Sequence, residues 1–379
     1  MSHHFQYSGD RFSVTYELIG DQNLAQEKAE NICVEQSIEF PADIVVSMEI
    51  KNHVIGKLEK LQLVGDNLYH ADISFATEIT GFEIVQLLNV VFGNTSIKPG
   101  IKVISLALPN SLINVFRGPR FGQDGLRNLL NTHDRPLLCA ALKPMGLSAE
   151  ELAKVAYDYA LGGIDIIKED HGLADQPFSP FNERVARCAE AVAEANHKSG
   201  NNAIYFPNIP SPTMDVIERA YYAKQNGVGG LLISPGLLGF DVMRTIADED
   251  GLGLPVMYHP ALLGTFTAGG NHGFGHNLLY GVLPRLAGAD LVVFPVFGGR
   301  FSFSRDECRK IISGCTINLD HIKSAYPTPG GGMRIDRIPE MIEFFGNDVV
   351  ILIGGNLSRN GTIVENSKRF MNSVIENAI

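Results

Sequence analysis

The stretch Ile164-Asp165-Ile166-Ile167-Lys168-Glu169-Asp170-His171 passes from an apolar run to clustered charge with nothing between. Ile164, Ile166 and Ile167 suit a short buried strand. An apolar strand with a polar carboxyl end is the pattern of the catalytic end of an α/β barrel strand. Side chains alternate along an extended chain, so Lys168 and Asp170 share a direction and Glu169 faces the other way. A lysine and an aspartate on one face can form an ion pair that stiffens the strand end. They can also build a metal site if CO2 carbamylates the lysine, because the product is an oxygen-rich anion suited to a hard cation such as Mg2+. From the stretch alone the ion pair is the favoured reading.

Working outward, short apolar runs alternate with helical stretches from Leu137 onward. The runs are Leu137–Leu142, Ile164–Ile167, Ala203–Phe206, Gly230–Ile233, Pro255–Tyr258, Leu291–Phe294, a weaker Ile322–Tyr326, and Val349–Ile353. Eight βα units predict a (β/α)8 barrel over residues 121–379, closed by a helix at Thr362–Asn377. Residues 1–120 predict a separate α+β domain of ferredoxin-like type. Its expected strands are Phe12–Ile19, Asp43–Ile50, Leu68–Phe75 and Lys102–Leu108. Its expected helices are Leu24–Cys33, capped by Asp21 or Asn23, and Gly81–Phe92.

The carboxyl ends of the barrel strands supply the candidate site. They lead to Lys143, to Lys168 with Asp170 and His171, to Asn208, to Ser234, to His259 and to Arg300, then to Gly330–Gly332 and Gly354-Gly355. The last two loops, after strands 7 and 8, are where this fold commonly holds a phosphate on bare backbone N–H groups. His259 and Lys143 are candidate proton carriers. Arg300 follows two glycines and is placed to close over a ligand. Asn208 is a candidate substrate contact. His272 and His276 are four residues apart, but the glycines between them spoil a helix, so they are not expected to bind metal.

A net charge of −11 with no basic stripe argues against nucleic acid and anionic membrane as partners. No apolar run is long enough to span a bilayer, and the first residues lack the pattern of a signal peptide. Five scattered cysteines without CxxC spacing point to a reducing, cytoplasmic compartment.

Together these motifs resemble the large subunit of ribulose-bisphosphate carboxylase, and more closely its non-carboxylating relatives, the RuBisCO-like proteins. The resemblance rests on Phe116-Arg-Gly-Pro119, Arg135-Pro-Leu-Leu138, Lys143-Pro-Met-Gly-Leu-Ser148, Gly162-Gly-Ile-Asp-Ile-Ile-Lys-Glu-Asp-His171 and Gln176-Pro-Phe178. It continues more weakly to Gly355 and covers much of the N-terminal domain. It implies that Lys168 carries a CO2-derived carbamate and binds a divalent metal, Mg2+ or another, with Asp170. The family's third ligand, a glutamate, is here His171. Lys143 matches the proton-carrying lysine and His259 the strand-5 histidine. Gly331, Gly332, Gly354 and Gly355 match one phosphate site. The second lysine of the strand-1 motif is absent, with Met145 nearby. Pro260 and Val293 stand where the family has the arginine and histidine of its second phosphate site, and Arg300 replaces the loop lysine. Glu35 and Asn89 match residues that complete a neighbouring subunit's site, so the resemblance implies a homodimer or larger homo-oligomer.

This pattern implies a small-molecule substrate with one phosphate and chemistry other than CO2 fixation. A bisphosphate would leave one dianion poorly compensated, at a cost of several kcal/mol. The expected enzyme is a divalent-metal-dependent lyase or isomerase. Decarboxylation of a 3-oxo sugar-acid phosphate, of the 3-oxo-isoapionate 4-phosphate type, leads, because loss of CO2 needs only carbonyl polarisation and enolate stabilisation. The alternatives are enolisation of 2,3-diketo-5-methylthiopentyl 1-phosphate, isomerisation of methylthioribulose phosphate, and a non-catalytic binding protein.

Overall fold

The computed structural model describes residues 5–301 and 303–379. The chain divides into two compact units. One comprises residues 1–116, 263–279 and 319–321; the other comprises 117–262, 280–318 and 322–379.

The first unit is built on β1 (Arg11–Ile19), α1 (Gln22–Glu35), β2 (Lys57–Gly65), β3 (Leu68–Ala76), α2 (Ile84–Phe92) and β4 (Ile101–Ala107). The sheet order β4-β1-β3-β2 with antiparallel pairing is the expected ferredoxin-like arrangement. Along β1 every second side chain is buried, from Phe12 to Leu18, which is the period-2 pattern of a half-buried strand. Asp21 caps α1, its carboxylate accepting from Leu24 N at 2.9 Å.

One expected strand is absent. Asp43–Ile50 holds a short 3-10 turn at Ala42–Ile44, and a π-turn begins at Ile50. Its apolar alternation is real, but Val46 and Met48 are exposed. The place beside β3 goes to β2, which the sequence reading missed. That strand is exposed over most of its length and is bulged, so its residues carry no clean alternation.

A sequence-based break at residue 120 also assigns 263–279 to the barrel. In the structure this segment packs with the first unit. Its β10 (Gly273–Phe274) pairs in parallel with β4, and Lys102 Nζ bonds the Gly270 carbonyl at 3.0 Å.

The second unit holds eight parallel strands: β5 (Leu137–Leu142), β6 (Ile166–Glu169), β7 (Ile204–Phe206), β8 (Leu231–Ile233), β9 (Val256–Tyr258), β11 (Leu291–Pro295), β12 (Tyr326–Gly330) and β13 (Val350–Ile353). They run in two ladders, β13-β5-β6-β7 and β8-β9-β11-β12, with a parallel bridge from Asn208 to Leu232 joining them on one side. All eight send side chains into one interior, among them Cys139, Ile166, Phe206, Leu232, Met257, Val293, Tyr326 and Leu352. Leu126 and Leu130 of the helix Gly122–Leu130 join this core. Each fully buried side chain of this size contributes about 1.5–3 kcal/mol. Asp290 ties the start of that helix to the barrel, accepting from the N–H groups of Phe121, Gly122 and Val256 at 2.8, 2.7 and 2.9 Å.

The seventh barrel strand lies later than Ile322–Tyr326, at Tyr326–Gly330, and contains Pro327 and Pro329. Prolines normally argue against a strand because they cannot donate to a ladder. Here the alternate residues Tyr326 and Gly330 carry the bonds to the β11 side. The prolines face the β12–β13 seam, where the two ladders are not joined by hydrogen bonds among the described residues.

Candidate functional site

Ile166 points into the barrel core, so the next inward position along β6 is Lys168, one step nearer the carboxyl end. Lys168 is 2% exposed and its Nζ donates to the Glu169 carbonyl at 2.6 Å. Burial lowers the pKa of its ammonium, against the opposing pull of Asp170. Glu169 faces the other way, as the alternation requires. It is fully buried, paired with Arg184 at 2.5 Å, and accepts from Tyr205 Oη at 2.5 Å and Asn208 N at 2.9 Å. The sequence reading missed this cluster, because Arg184 looks like any polar residue of a helix start.

Asp170 is the hub of the mouth. Lys143 Nζ donates to its Oδ2 at 2.7 Å, and His171 Nδ1 lies 3.3 Å from its Oδ1. Burial works against its charge, but hydrogen bonds from His171 and Lys143 and the charge of Lys168 outweigh burial and hold the carboxyl well below the usual range. His171 stacks on His259, with ring centroids 4.2 Å apart and planes 15° from parallel. His259 Nδ1 accepts from Ala261 N at 3.2 Å, which puts the ring proton of the neutral form on Nε2. Asn208 orients its amide by donating to the carbonyls of His171 and Leu173 at 3.1 and 2.6 Å. Its Oδ1 and the hydroxyl of Ser234 are buried without a hydrogen-bond partner among the described residues. Met145 is exposed and lies against Gly172, where an added Cβ would meet its Cε at 2.4 Å.

Burial, then the charges of Lys168 and His171, push the His259 pKa well below its ordinary 6.5. A depressed histidine binds fewer protons folded than unfolded, so its contribution to stability is lost as pH falls below about 6.5 toward the folded value. Histidine ring NMR titration should give a His259 midpoint below 6.5, and His259→Gln should flatten the acid loss of stability. A midpoint at or above 6.5 contradicts this.

The donor set can be tested against a divalent cation. Among the described residues no three His, Cys, Asp or Glu side chains converge as ligands. Asp170 and His171 supply oxygen and nitrogen donors, and Asp170 already holds one cation, the Lys143 ammonium. A third donor at this point requires CO2 on Lys168, whose pKa is shifted toward the neutral amine that accepts it. These residues fit a hard divalent cation completed by a carbamate.

The glycine loops form a second cluster. Gly331 and Gly332 have φ of +96° and +102°, a region that favours glycine. Asn356 Nδ2 donates to the Met333 carbonyl at 2.6 Å, tying the loop after β13 to the loop after β12. An added Cβ on Gly354 would come within 4.0 Å of Lys143 Cε, so this loop reaches Lys143; Gly355 beside it is exposed. Arg300 N donates to the Gly331 carbonyl at 2.8 Å, and the exposed Arg300 guanidinium stacks 4.8 Å over Phe301. Val293 is 5% exposed in the barrel core and offers no polar contact.

Glu35 and Asn89 lie in the other compact unit. Gln36, beside Glu35, donates to the carbonyls of Asn89 and Val90 at 2.8 Å and accepts from Thr95 N at 3.0 Å, which fixes the ends of α1 and α2 together. Glu35 accepts from Asn94 Nδ2 at 3.0 Å. Asn89 is exposed.

The second unit is thus a barrel with a buried lysine at the end of its second strand, an adjoining aspartate, and glycine loops after strands 7 and 8, where this fold frequently holds a phosphate. The chain belongs to the ribulose-bisphosphate carboxylase large-chain family, among its RuBisCO-like members. Residues 122–361 match the family "Ribulose bisphosphate carboxylase large chain, catalytic domain". The chain is 36% identical, over 95% of its length and 96% of the relative's, to ribulose bisphosphate carboxylase-like protein 1 of Rhodopseudomonas palustris. It is 34% identical, over 96% of both chains, to the 5-methylthioribulose-1-phosphate isomerase of Rhodospirillum rubrum. Against the 2,3-diketo-5-methylthiopentyl-1-phosphate enolase of Bacillus cytotoxicus it is 34% identical over 73% of this chain and 67% of that one. The crystal structure of a Rubisco-like protein from Rhodopseudomonas palustris superposes with a TM-score of 0.88 at 36% identity, covering 97% of this chain and 98% of that chain. No helix among the described residues is long and apolar enough to cross a membrane.

Proposed function

We propose that this protein is an enzyme that forms and reprotonates an enolate on a monophosphorylated keto substrate. The observation that carries this is the linked set Lys143–Asp170–His171–His259 beside buried Lys168. A divalent cation such as Mg2+, held by Asp170, His171 and a carbamate on Lys168, would polarise the substrate carbonyl. Neutral His259 offers Nε2–H to an oxygen of the substrate, a donor that needs no net charge. Lys143 takes the proton from the neighbouring carbon as the free amine and returns it as the ammonium, the form that Asp170 holds. Gly331, Gly332, Gly354 and Gly355 hold one phosphate through backbone N–H groups, and Arg300 closes on it from above Gly331.

Two proton-moving groups at one mouth favour isomerisation or enolisation of a ketose or diketo phosphate, the reactions named for the relatives of Rhodospirillum rubrum and Bacillus cytotoxicus. Decarboxylation of a 3-oxo sugar-acid phosphate is the second reading. It is favoured by the absence of the second lysine of the strand-1 motif, with apolar Met145 nearby, since loss of CO2 makes the smaller demand on proton carriers. Carboxylation of ribulose bisphosphate lacks its groups: Pro260 carries no charge, Val293 cannot donate, and Arg300 replaces a compact ammonium with a broad planar fork. Incubation with labelled CO2 and ribulose bisphosphate should give no labelled phosphoglycerate. In parallel, turnover of diketo or ketose phosphates supports the first reading, and CO2 release from 3-oxo sugar-acid phosphates supports the second. Labelled phosphoglycerate overturns both.

The working unit is a homodimer at least, with Glu35 and Asn89 completing the partner's site, as the resemblance implies. Inactive Lys168→Ala and Asn89→Ala protomers should recover about half of wild-type turnover per mixed dimer when exchanged, roughly a quarter over a random equimolar mixture, because one of two sites survives intact and such losses do not propagate between independent sites. No recovery after confirmed exchange would count against a shared site.

A further inference from the structure

Arg300 sits at the tip of a short loop whose base is clamped in an unusual way. Phe297, the first residue of that loop, is 5% exposed and lies against two guanidinium groups. Arg305 Cζ is 4.3 Å from its ring centre and Arg337 Cζ is 5.4 Å away. Glu340 holds both arginines, accepting from Arg305 Nη2 at 2.5 Å and from Arg337 Nε at 3.2 Å. Behind the ring lie Phe344 and Phe345, with centroids 4.7 and 6.2 Å distant. A bridge between Phe297 and Phe303 closes the loop across its base.

Arg337 also grips the backbone. Its Nη2 donates to the Phe297 carbonyl at 2.8 Å. The next residue, Gly298, has φ of +62°, and a Cβ there would sit 3.4 Å from that same Nη2. Gly299 leaves no room for a side chain, since its Cβ would meet the Gly331 carbonyl at 2.3 Å. The chain is therefore steered from Phe297 through two glycines to Arg300, whose N–H reaches Gly331. Arg337 itself follows Gly332 by five residues on the same β12 loop. One side chain thus links the two segments that bring Arg300 and the Gly331–Gly332 backbone together. Arg337 is 9% exposed, and its Nη1 is buried without a hydrogen-bond partner among the described residues. A buried unpaired N–H is costly, so the guanidinium is held where the loop needs it and not where all its own bonds are best met.

We propose that Arg337 is a positioning residue for Arg300: its Nη2 hydrogen bond to the Phe297 carbonyl and its stacking on the Phe297 ring fix the loop in the docked position over Gly331. The role of Arg300 at the phosphate rests on the function proposed above; the clamp does not. Arginine suits the task because one planar group stacks and donates at once, which an ammonium does less well.

The test reads the loop directly. Trypsin cuts after Arg300 only when the loop leaves its dock, so the rate of appearance of the 1–300 fragment, followed by mass spectrometry on the full chain, reports undocking. Arg337→Met is expected to raise that rate about tenfold, the scale of losing one charge-assisted hydrogen bond, and Arg337→Lys to restore part of the protection. The thermal midpoint and cleavage at other sites should stay close to wild type, which separates positioning from general loosening. If Arg337→Met unfolds the chain, Gly298→Ala asks the same question, since a side chain at φ of +62° is strained and shifts the Phe297 carbonyl that Nη2 holds, and should also speed cleavage at Arg300. An unchanged rate at Arg300 in a folded variant of either kind overturns the proposal. If Arg300→Ala leaves KM for a phosphorylated substrate unchanged while Arg337→Met still frees the loop, the role of Arg300 falls and the clamp stands.

Discussion

Lys168→Ala is expected to remove turnover by about 10³-fold or more, the scale of losing a group that stabilises charge in the transition state. Lys168 is nearly sealed from solvent at the inner end of the mouth, with Asp170 and His259 both sensing its charge. Its lowered pKa enlarges the neutral amine fraction, so activation by preincubation with bicarbonate and Mg2+ should grow as pH rises through the folded value. The sign for stability is separate. A lysine whose folded pKa is depressed binds fewer protons folded than unfolded, so it costs stability below the folded pKa and that cost disappears as pH rises above the unfolded value. Removing it should therefore leave a folded protein at pH 7, which circular dichroism can check before turnover is measured. A folded Lys168→Ala protein with full turnover, or wild type indifferent to bicarbonate, would sink the carbamate mechanism.

Arg184→Ala is expected to destabilise the protein by about 3–5 kcal/mol, the cost of stripping one partner from a buried ion pair. Arg184 and Glu169 are both fully buried, and Arg184 also donates to the carbonyls of Ser179 and Ala174 at 2.5 and 2.6 Å. Its loss leaves the Glu169 carboxylate with Tyr205 and Asn208 N as its donors among the described residues, and frees the buried Ser179 carbonyl and the half-buried Ala174 carbonyl. Urea unfolding measures the change as a fall in the midpoint at constant slope. The double variant Glu169→Gln with Arg184→Met should recover part of the loss, because an uncharged pair avoids the desolvated charge. A single-variant loss under about 1 kcal/mol would mean the pair is not what holds this strand end. Since Glu169 lies between Lys168 and Asp170 in sequence, the same variant should also lower activity by displacing both.

The sequence carried the parts of this protein that depend on local period and local chemistry. Alternation alone put Lys168 and Asp170 on one side of β6 and Glu169 on the other, because a strand repeats every two residues. Eight apolar runs separated by helical stretches were enough for the barrel, and Asp21 marked the start of α1 by an ordinary side-chain cap. The tertiary structure decided whatever needed a partner far along the chain. Arg184 becomes the counterion of Glu169 only because the helix after β6 folds back on it. β2 displaces the alternating Asp43–Ile50 segment because β3 has an edge to offer and an exposed edge strand carries no burial signature. Pro327 and Pro329 are tolerated in β12 because their missing N–H groups fall on a seam with no ladder to break among the described residues. Residues 263–279 join the first unit through a two-residue pairing with β4 that no local pattern announces. Periodicity is written in each residue's neighbours, whereas pairing and charge compensation are set by whichever surface the fold brings alongside.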